Sequence, residues 1–556
     1  MRTANLTAQA EAQALDSRRS PHWSALEDLA KKSWSLPKLF EQDDRRGERF
    51  QASNLSIYLD FSKQCLDEAV LKNLLALAYD SRLKRKINDL LTGVKINTSE
   101  QRAALHTALR LPKSASLLVD NRDVVEDIHQ SLAKVEHLSE RIRSGTWRGF
   151  SGKAITDVVN IGVGGSDLGP LMASAALDEW SDSKIDVHFV SNMDGSQLDN
   201  LLNWLNPETT LFIISSKSFG TVDTLSNAKT ALNWLLTTAV TLSGSKQSVL
   251  RRHFIGISAN HEKMSAWGIH PEHQLALWDW IGGRFSLWSA IGLAIAIAIG
   301  MPRFYELLAG AHEMDEHFAT TDFAENLPVL LGLIAVWNSS FLQIHAHTVL
   351  PYDGRLAYLP SYLTQLEMES NGKSVTHSGM TVDYNTCPIL WGEIGSDAQH
   401  AFYQLLHQGT QQVSCDFIAC VRHYSDEERF ATLRHQHELA LSNCLAQSRV
   451  LAFGNLAVEN TAMACVTDKF KNYRGNQPST TILIDELTPK SLGALIALYE
   501  HKVYVMACIW DINPFDQWGV EMGKQMAESV YQALSQDKSP FDGSTNQLLA
   551  HIRKLS

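Results

Sequence analysis

A chain of 556 residues, 44% hydrophobic and 20% charged, is long enough for two or more domains, each with a sizeable core. Its formal charge of −12 argues against a general nucleic-acid binder, because affinity for a phosphate backbone comes mainly from basic surface. An anionic ligand must therefore be drawn by a few well-placed cations.

Residues 1–55 are polar, with amphipathic spacing that predicts helices packed on a larger body. The opening Met1–Ala10 lacks the apolar centre of a signal peptide. From about residue 120 to 290, helical patterns alternate with apolar runs of strand length: Val158–Ile161, Val187–Val190, Leu211–Ile214 and His253–Ile257. That alternation predicts a parallel sheet covered by helices. The longest apolar run, Leu287–Met301, is shorter than a bilayer span and predicts a buried helix. Beyond it, Ser448–Ala452, Thr480–Leu483 and Lys502–Ala507 are strand candidates for a second set. The expected fold is α/β, with two doubly wound, mostly parallel sheets and helices at both termini. The cysteines (Cys65, Cys387, Cys415, Cys420, Cys444, Cys465, Cys508) are odd in number and never spaced C-x-x-C. Free thiols in a reducing compartment suit that pattern better than a disulfide framework or structural zinc. The expectation is a cytoplasmic protein that neither spans a membrane nor binds nucleic acid.

Two strand-to-turn-to-helix segments carry the chemistry of anion binding. The first is Val158–Pro170, with Gly162-Val163-Gly164-Gly165-Ser166 in its turn, and the second is Leu211–Thr221, with Ser216-Lys217-Ser218 and Thr221. A helix N-terminus offers free N–H donors and a positive dipole end, and the second turn adds hydroxyls and a lysine. Alone, the first turn reads equally well as an ordinary connection; the pair together predicts a phosphorylated small molecule. Asp167 stands where a dinucleotide fingerprint needs its third glycine, and Glu367 where a P-loop ending in Gly372-Lys373-Ser374 needs its first. His270-Pro271-Glu272-His273 and His345-Ala346-His347 have metal-like spacing without a convincing further ligand, so no metal is expected.

Further along, Gly282-Gly283-Arg284 offers close backbone approach beside a permanent cation. A helix then ends at Gln365-Leu366-Glu367-Met368-Glu369-Ser370-Asn371-Gly372-Lys373, where Glu367 and Glu369 should point in different directions. Ser396 and Gln399 fit an S-x-x-Q capping box that would place His400 near a first turn. Asp516–Lys524 is punctuated by glycine and contains Gln517 and Lys524.

These segments together resemble the glucose-6-phosphate isomerase (phosphoglucose isomerase) family. The matching stretches run from about residue 97 to residue 524, and Met-Glu-Ser-Asn-Gly-Lys and Asp-Gln-Trp-Gly-Val-Glu-x-Gly-Lys are the most specific. The resemblance implies two sugar-isomerase-type (SIS) domains. The divisions expected are a helical segment at 1–120, a smaller domain with the phosphate loops at 121–290, a larger one at 291–515 and a helical arm at 516–556. It implies that Gly165, Ser166, Ser216, Lys217, Ser218 and Thr221 hold the sugar phosphate, with Gln365 and Gln517 contacting substrate. Glu369 would be the base moving a proton between C2 and C1, Arg284 would stabilise the enediolate, and His400 and Lys524 would assist ring opening. It further implies a homodimer with His400 contributed across the interface, and no cofactor. Ser218 stands where the family usually has Thr, and Gly220 replaces a hydroxyl residue. The alternatives are a non-catalytic sugar-phosphate-binding regulator of the same fold, or an isomerase for another sugar phosphate.

Overall fold

The computed structural model describes residues 20–54, 56–241, 245–458, 469–536 and 540–556. Met1–Ala10 and Cys465 lie outside the described residues; the other cysteines are all free. In chain order the strands are β1 (Gln51–Asn54), β2 (Ile57–Asp60), β3 (Leu118–Val119), β4 (Arg122–Asp123), β5 (Asp157–Gly162), β6 (Asp186–Val190) and β7 (Thr210–Ser215). Then come β8 (Phe254–Ser258), β9 (Gln274–Ala276), β10 (Ala346–Pro351), β11 (Ile389–Gly392), β12 (Ser414–Arg422) and β13 (Ser479–Glu486).

The first large sheet has the order β6-β5-β7-β8-β9, with every pairing parallel. Its strands β5, β7 and β8 are buried almost throughout, so they read in the sequence as unbroken apolar runs rather than as alternation. Val159, Ile161, Phe212, Ile214 and Phe254 form the centre of its core. The chain leaves β5 for β6 on one side and returns to β7 on the other. That reversal makes the gap between β5 and β7 the topological switch point, where ligands bind in open α/β sheets.

The second sheet has the order β1-β2-β13-β12-β10-β11. Its β10, β11, β12 and β13 are parallel, and the β1–β2 hairpin adds an antiparallel edge through β2 and β13. Gln51–Asn54, inside the stretch 1–55 where the sequence predicts helices, is therefore a strand. Two expected strands are helical instead. Ser448–Ala452 ends the helix Ala431–Phe453, whose buried Cys444, Ser448, Leu451 and Ala452 follow helical spacing. Lys502–Ala507 lies inside the helix Pro489–Trp510, started by a Thr488–Ser491 capping box with proline at its first position. A helix buried on every side carries apolar residues at every position, so its short stretches imitate a strand. By length and composition that helix could cross a membrane, yet its apolar window is wholly buried inside the protein. The run Leu287–Met301 is buried as expected, but it is not one helix: Leu293–Ile299 is α-helical and Met301 already opens the next helix, Met301–Thr320. Gly300 at φ +84° ends the first of them.

A buried charge cluster ties these helices together. Arg110 donates to both Asp315 oxygens at 2.6 and 2.5 Å and to Glu500 at 2.6 Å. Trp288 and His501 complete the carboxylates' bonding at 2.8 and 2.7 Å. Burial alone would raise the Asp315 carboxyl, but Arg110 beside it holds it down to about 2. Removing one partner strands the others' charges in the core. Arg110→Met is expected to cost about 3–5 kcal/mol of unfolding free energy, read from urea denaturation. A loss below about 1 kcal/mol would show that the cluster is not held by this arginine.

Contacts divide the chain into a unit ending at Pro514 and a second unit, Phe515–Ser556. The second contains the helices Glu521–Ala533 and Gly543–Leu555, joined by Arg553 donating to the Ala533 carbonyl at 3.0 Å.

Candidate active site

The loops following β5 and β7 flank the switch point. After β5 the chain turns through Gly164 at φ +60° into a short 3-10 turn, Gly164–Ser166, and the helix Leu168–Ala176. Glycine is favoured at 164 by its positive φ and required at 165 by the backbone that lies against it. A Cβ on Gly165 would sit 2.0 Å from the Gly283 carbonyl oxygen and 2.7 Å from the Arg284 nitrogen. A Cβ on Gly164 would sit 2.9 Å from Gln365 Nε2. The bare backbone of this loop thus touches two segments that lie far along the chain. Asn160 braces it by donating to the Ser166 carbonyl at 3.0 Å and accepting from Ser215 at 2.9 Å, which couples the ends of β5 and β7. Burial pushes the Asp167 carboxyl up to about 6.

After β7, Ser216 and Thr221 place their hydroxyls 3.1 Å apart, and Phe219 adopts φ +44° with its ring buried. The helix Val222–Thr241 follows. Ser218 is exposed, whereas Lys217 turns inward and donates to the carbonyls of Asp279 and Ile281 at 2.9 and 2.8 Å. Burial pulls its ammonium below the ordinary lysine range. Lys263, which the sequence did not single out, reaches the Ser218 carbonyl at 3.5 Å and brings a second cation to this loop.

Arg284, although buried, is well supplied with partners. Its Nε donates to Ser370 Oγ at 2.6 Å, its Nη2 donates to the Pro514 carbonyl, and its Nη1 lies 3.7 Å from Glu369 Oε2. Glu369 closes a π-helical turn, Gln365–Glu369, and Gln365 Nε2 donates to the same Oε2 at 2.9 Å. Such turns are frequent at functional sites. Glu367 and Glu369 do point apart: Glu369 is half-buried beside Arg284, whereas Glu367 is fully buried and bonds Lys502 at 2.8 Å. The structure therefore gathers Gly165, Gln365, Glu369 and Arg284 into one contact group. Ser370, missed in the sequence, belongs to it as the hydroxyl that orients the guanidinium.

The capping box at Ser396 and Gln399 does not form. The helix spans Gly395–Ala401 without a side-chain cap, because Gln399 donates to the Tyr352 hydroxyl at 3.0 Å instead. His400 is exposed near the end of that helix, not in its first turn. In the C-terminal unit, Gln517 is exposed and precedes the 3-10 turn Trp518–Val520, and exposed Lys524 pairs with Glu521 at 3.1 Å.

Of the histidine pairs, His347 is bound into β10 by Ser414 at 2.8 Å and Asp416 at 3.1 Å. His270, Glu272 and His273 bring one ligand atom each within 4.8 Å of one another, so a carboxylate does join that pair. Glu272 also lies 3.7 Å from Arg251.

The Phosphoglucose isomerase family profile matches residues 60–549. A glucose-6-phosphate isomerase of Psychrobacter cryohalolentis is 75% identical over 542 residues, covering 97% of this chain and 98% of the relative. Glucose-6-phosphate isomerase 2 of Chromohalobacter salexigens is 55% identical, over 95% of this chain and 97% of the relative. Among solved structures, a glucose-6-phosphate isomerase from Chlamydia trachomatis superposes with a TM-score of 0.84 at 27% identity, covering 97% of this chain and 99% of that one. Glycine loops at a switch point, pressed against a glutamate-bearing π-turn and a buried arginine, are thus set in a chain that belongs to the phosphoglucose isomerase family.

Proposed function

We propose that this protein is a glucose-6-phosphate isomerase, interconverting glucose 6-phosphate and fructose 6-phosphate through ring opening and a C1/C2 proton transfer. The observation that carries this reading is the contact of Glu369 with Arg284 and Gln365, hard against the glycine loop after β5. Gly165, Ser166, Ser216, Lys217, Ser218 and Thr221 bind the phosphate, and Gln365 and Gln517 touch the sugar. Fixing the phosphate orients the far end of the substrate, where positioning removes much of the entropic barrier. Glu369 takes the proton from C2 and returns it to C1, and negative charge builds on the enediolate oxygen as it does so. Arg284 meets that charge with a cation that never gives up its own proton. His400 and Lys524 open the ring. A regulator without catalysis would have no use for a base held against an arginine.

The protein acts as a cytoplasmic homodimer in this reading, with His400 supplied by the partner subunit; the family resemblance and the exposure of His400 support it. The chain divides functionally at 1–120, 121–290, 291–515 and 516–556, as the motif positions suggest. Turnover in deuterated water is the test. Solvent deuterium is expected at C2 of glucose 6-phosphate recovered after reaction from fructose 6-phosphate. Turnover without any exchange would replace the enediolate with a hydride shift.

A further inference from the structure

The side of the π-turn facing away from Glu369 enters a second cluster of charge that the proposed chemistry leaves unused. Glu367 and Lys502 pair at 2.8 Å with side chains only 2% and 1% exposed. Lys502 belongs to the long core helix Pro489–Trp510, and its neighbours reach the same turn region: Val503 accepts from Asn371 Nδ2 at 3.1 Å. Asp416 on β12 sits beside the pair, bonded by Tyr499 at 3.0 Å and by His347 at 3.1 Å. Glu367, Lys502, Asp416 and His347 all line one small cavity of about 10 Å³. Burial works against the Lys502 charge, but Glu367 and Asp416 more than offset it and raise its pKa.

Burying an ion pair is a poor way to gain stability, since desolvation cancels most of the attraction. What this cluster does supply is a fixed position, because Glu367 is held by Lys502 while Asp416 and His347 beside them are themselves anchored by Tyr499 and Ser414. A π-turn holds an extra residue per turn and can relax toward ordinary helix. Such a slip would rotate Glu369 away from Arg284. Glu367, two residues before Glu369, is a point at which the turn can be pinned from behind.

We propose that the Glu367–Lys502 pair is a positioning element for isomerisation, locking the π-turn so that Glu369 stays against Arg284. This role rests on the isomerase reading. Wild-type turnover of glucose 6-phosphate tests that reading, and an inert wild type would overturn it. With an active wild type, the variants decide the positioning role on its own.

Lys502→Met leaves the Glu367 and Asp416 carboxylates buried without their shared cation, and Glu367→Gln leaves Lys502 with Asp416 alone; both are expected to lower the unfolding midpoint, the first by more. The double variant removes both charges and is expected to regain most of that midpoint while kcat stays about 30-fold low, with KM within about 3-fold of wild type. Glu367→Asp keeps both charges but shortens the arm, and is expected to lower kcat about tenfold at nearly unchanged stability. A double variant or Glu367→Asp with kcat within about twofold of wild type would overturn the proposal, as would losses confined to KM. If the single variants do not fold, the double variant and Glu367→Asp still decide between these outcomes.

Discussion

Glu369→Gln is expected to lower kcat about 1,000-fold, while the affinity for a non-reacting sugar-phosphate inhibitor changes by less than about threefold. The separation follows from geometry. Glu369 touches Gln365 and lies near Arg284, and neither the hydroxyls of Ser216 and Thr221 nor the glycine loop depends on its charge. An amide has nearly the same shape and still accepts from Gln365 Nε2, so the π-turn keeps its hydrogen bond. The amide cannot take up a proton from carbon. Calorimetric titration of the inhibitor beside steady-state kinetics measures both quantities. A variant with near-normal kcat would remove Glu369 from the role of base.

Between pH 7 and pH 5 the folded protein is expected to lose about 4 kcal/mol of stability, seen as a lower urea midpoint at pH 5. His253, His273 and His317 are each pulled down to about 4, chiefly by burial. In the unfolded chain each takes up a proton near pH 6.5. Above that pH neither state is charged at these sites and their full stability is present. As the pH falls from 6.5 toward 4, the unfolded state binds protons first and is favoured by about 2 kcal/mol per histidine at pH 5. His106 and His501 shift in the same direction. Asp167, raised to about 6, acts the other way, because its folded form gains a proton first and recovers about 1 kcal/mol. Glu500, also raised by burial, adds to that recovery. The histidines outweigh these two acids. A midpoint equal or higher at pH 5 would mean that the histidines are not buried neutral.

The first sheet could be read almost strand by strand. Val158–Ile161 and Leu211–Ile214 fall within β5 and β7, because strands buried on both faces show as short apolar runs bounded by turn residues. Of the second sheet only β13 could be read, through Thr480–Leu483. β12, Ser414–Arg422, mixes Ser, Asp and Cys with its apolar residues, and β10 begins in the pair His345 and His347, which looked like metal spacing. Their polar members find partners across strands, as His347 does in Ser414 at 2.8 Å, with Asp416 3.1 Å away. No local pattern records that partnership. The capping box at Ser396 failed for the same reason, since Gln399 had a better partner in Tyr352.

By itself, the sequence determined the chemistry available to this protein: phosphate loops rich in small residues and hydroxyls, a glutamate ending a helix, an arginine after paired glycines. Those features are local, set by backbone freedom and side-chain type within a few residues. Only the tertiary structure decided that Gly165 presses on Gly283 and Arg284, that Ser370 orients the guanidinium, and that Lys502 grips the reverse of the π-turn. Each of these joins positions far apart along the chain. They form only when packing leaves a buried polar group no other partner, and a reading in one dimension does not contain that condition.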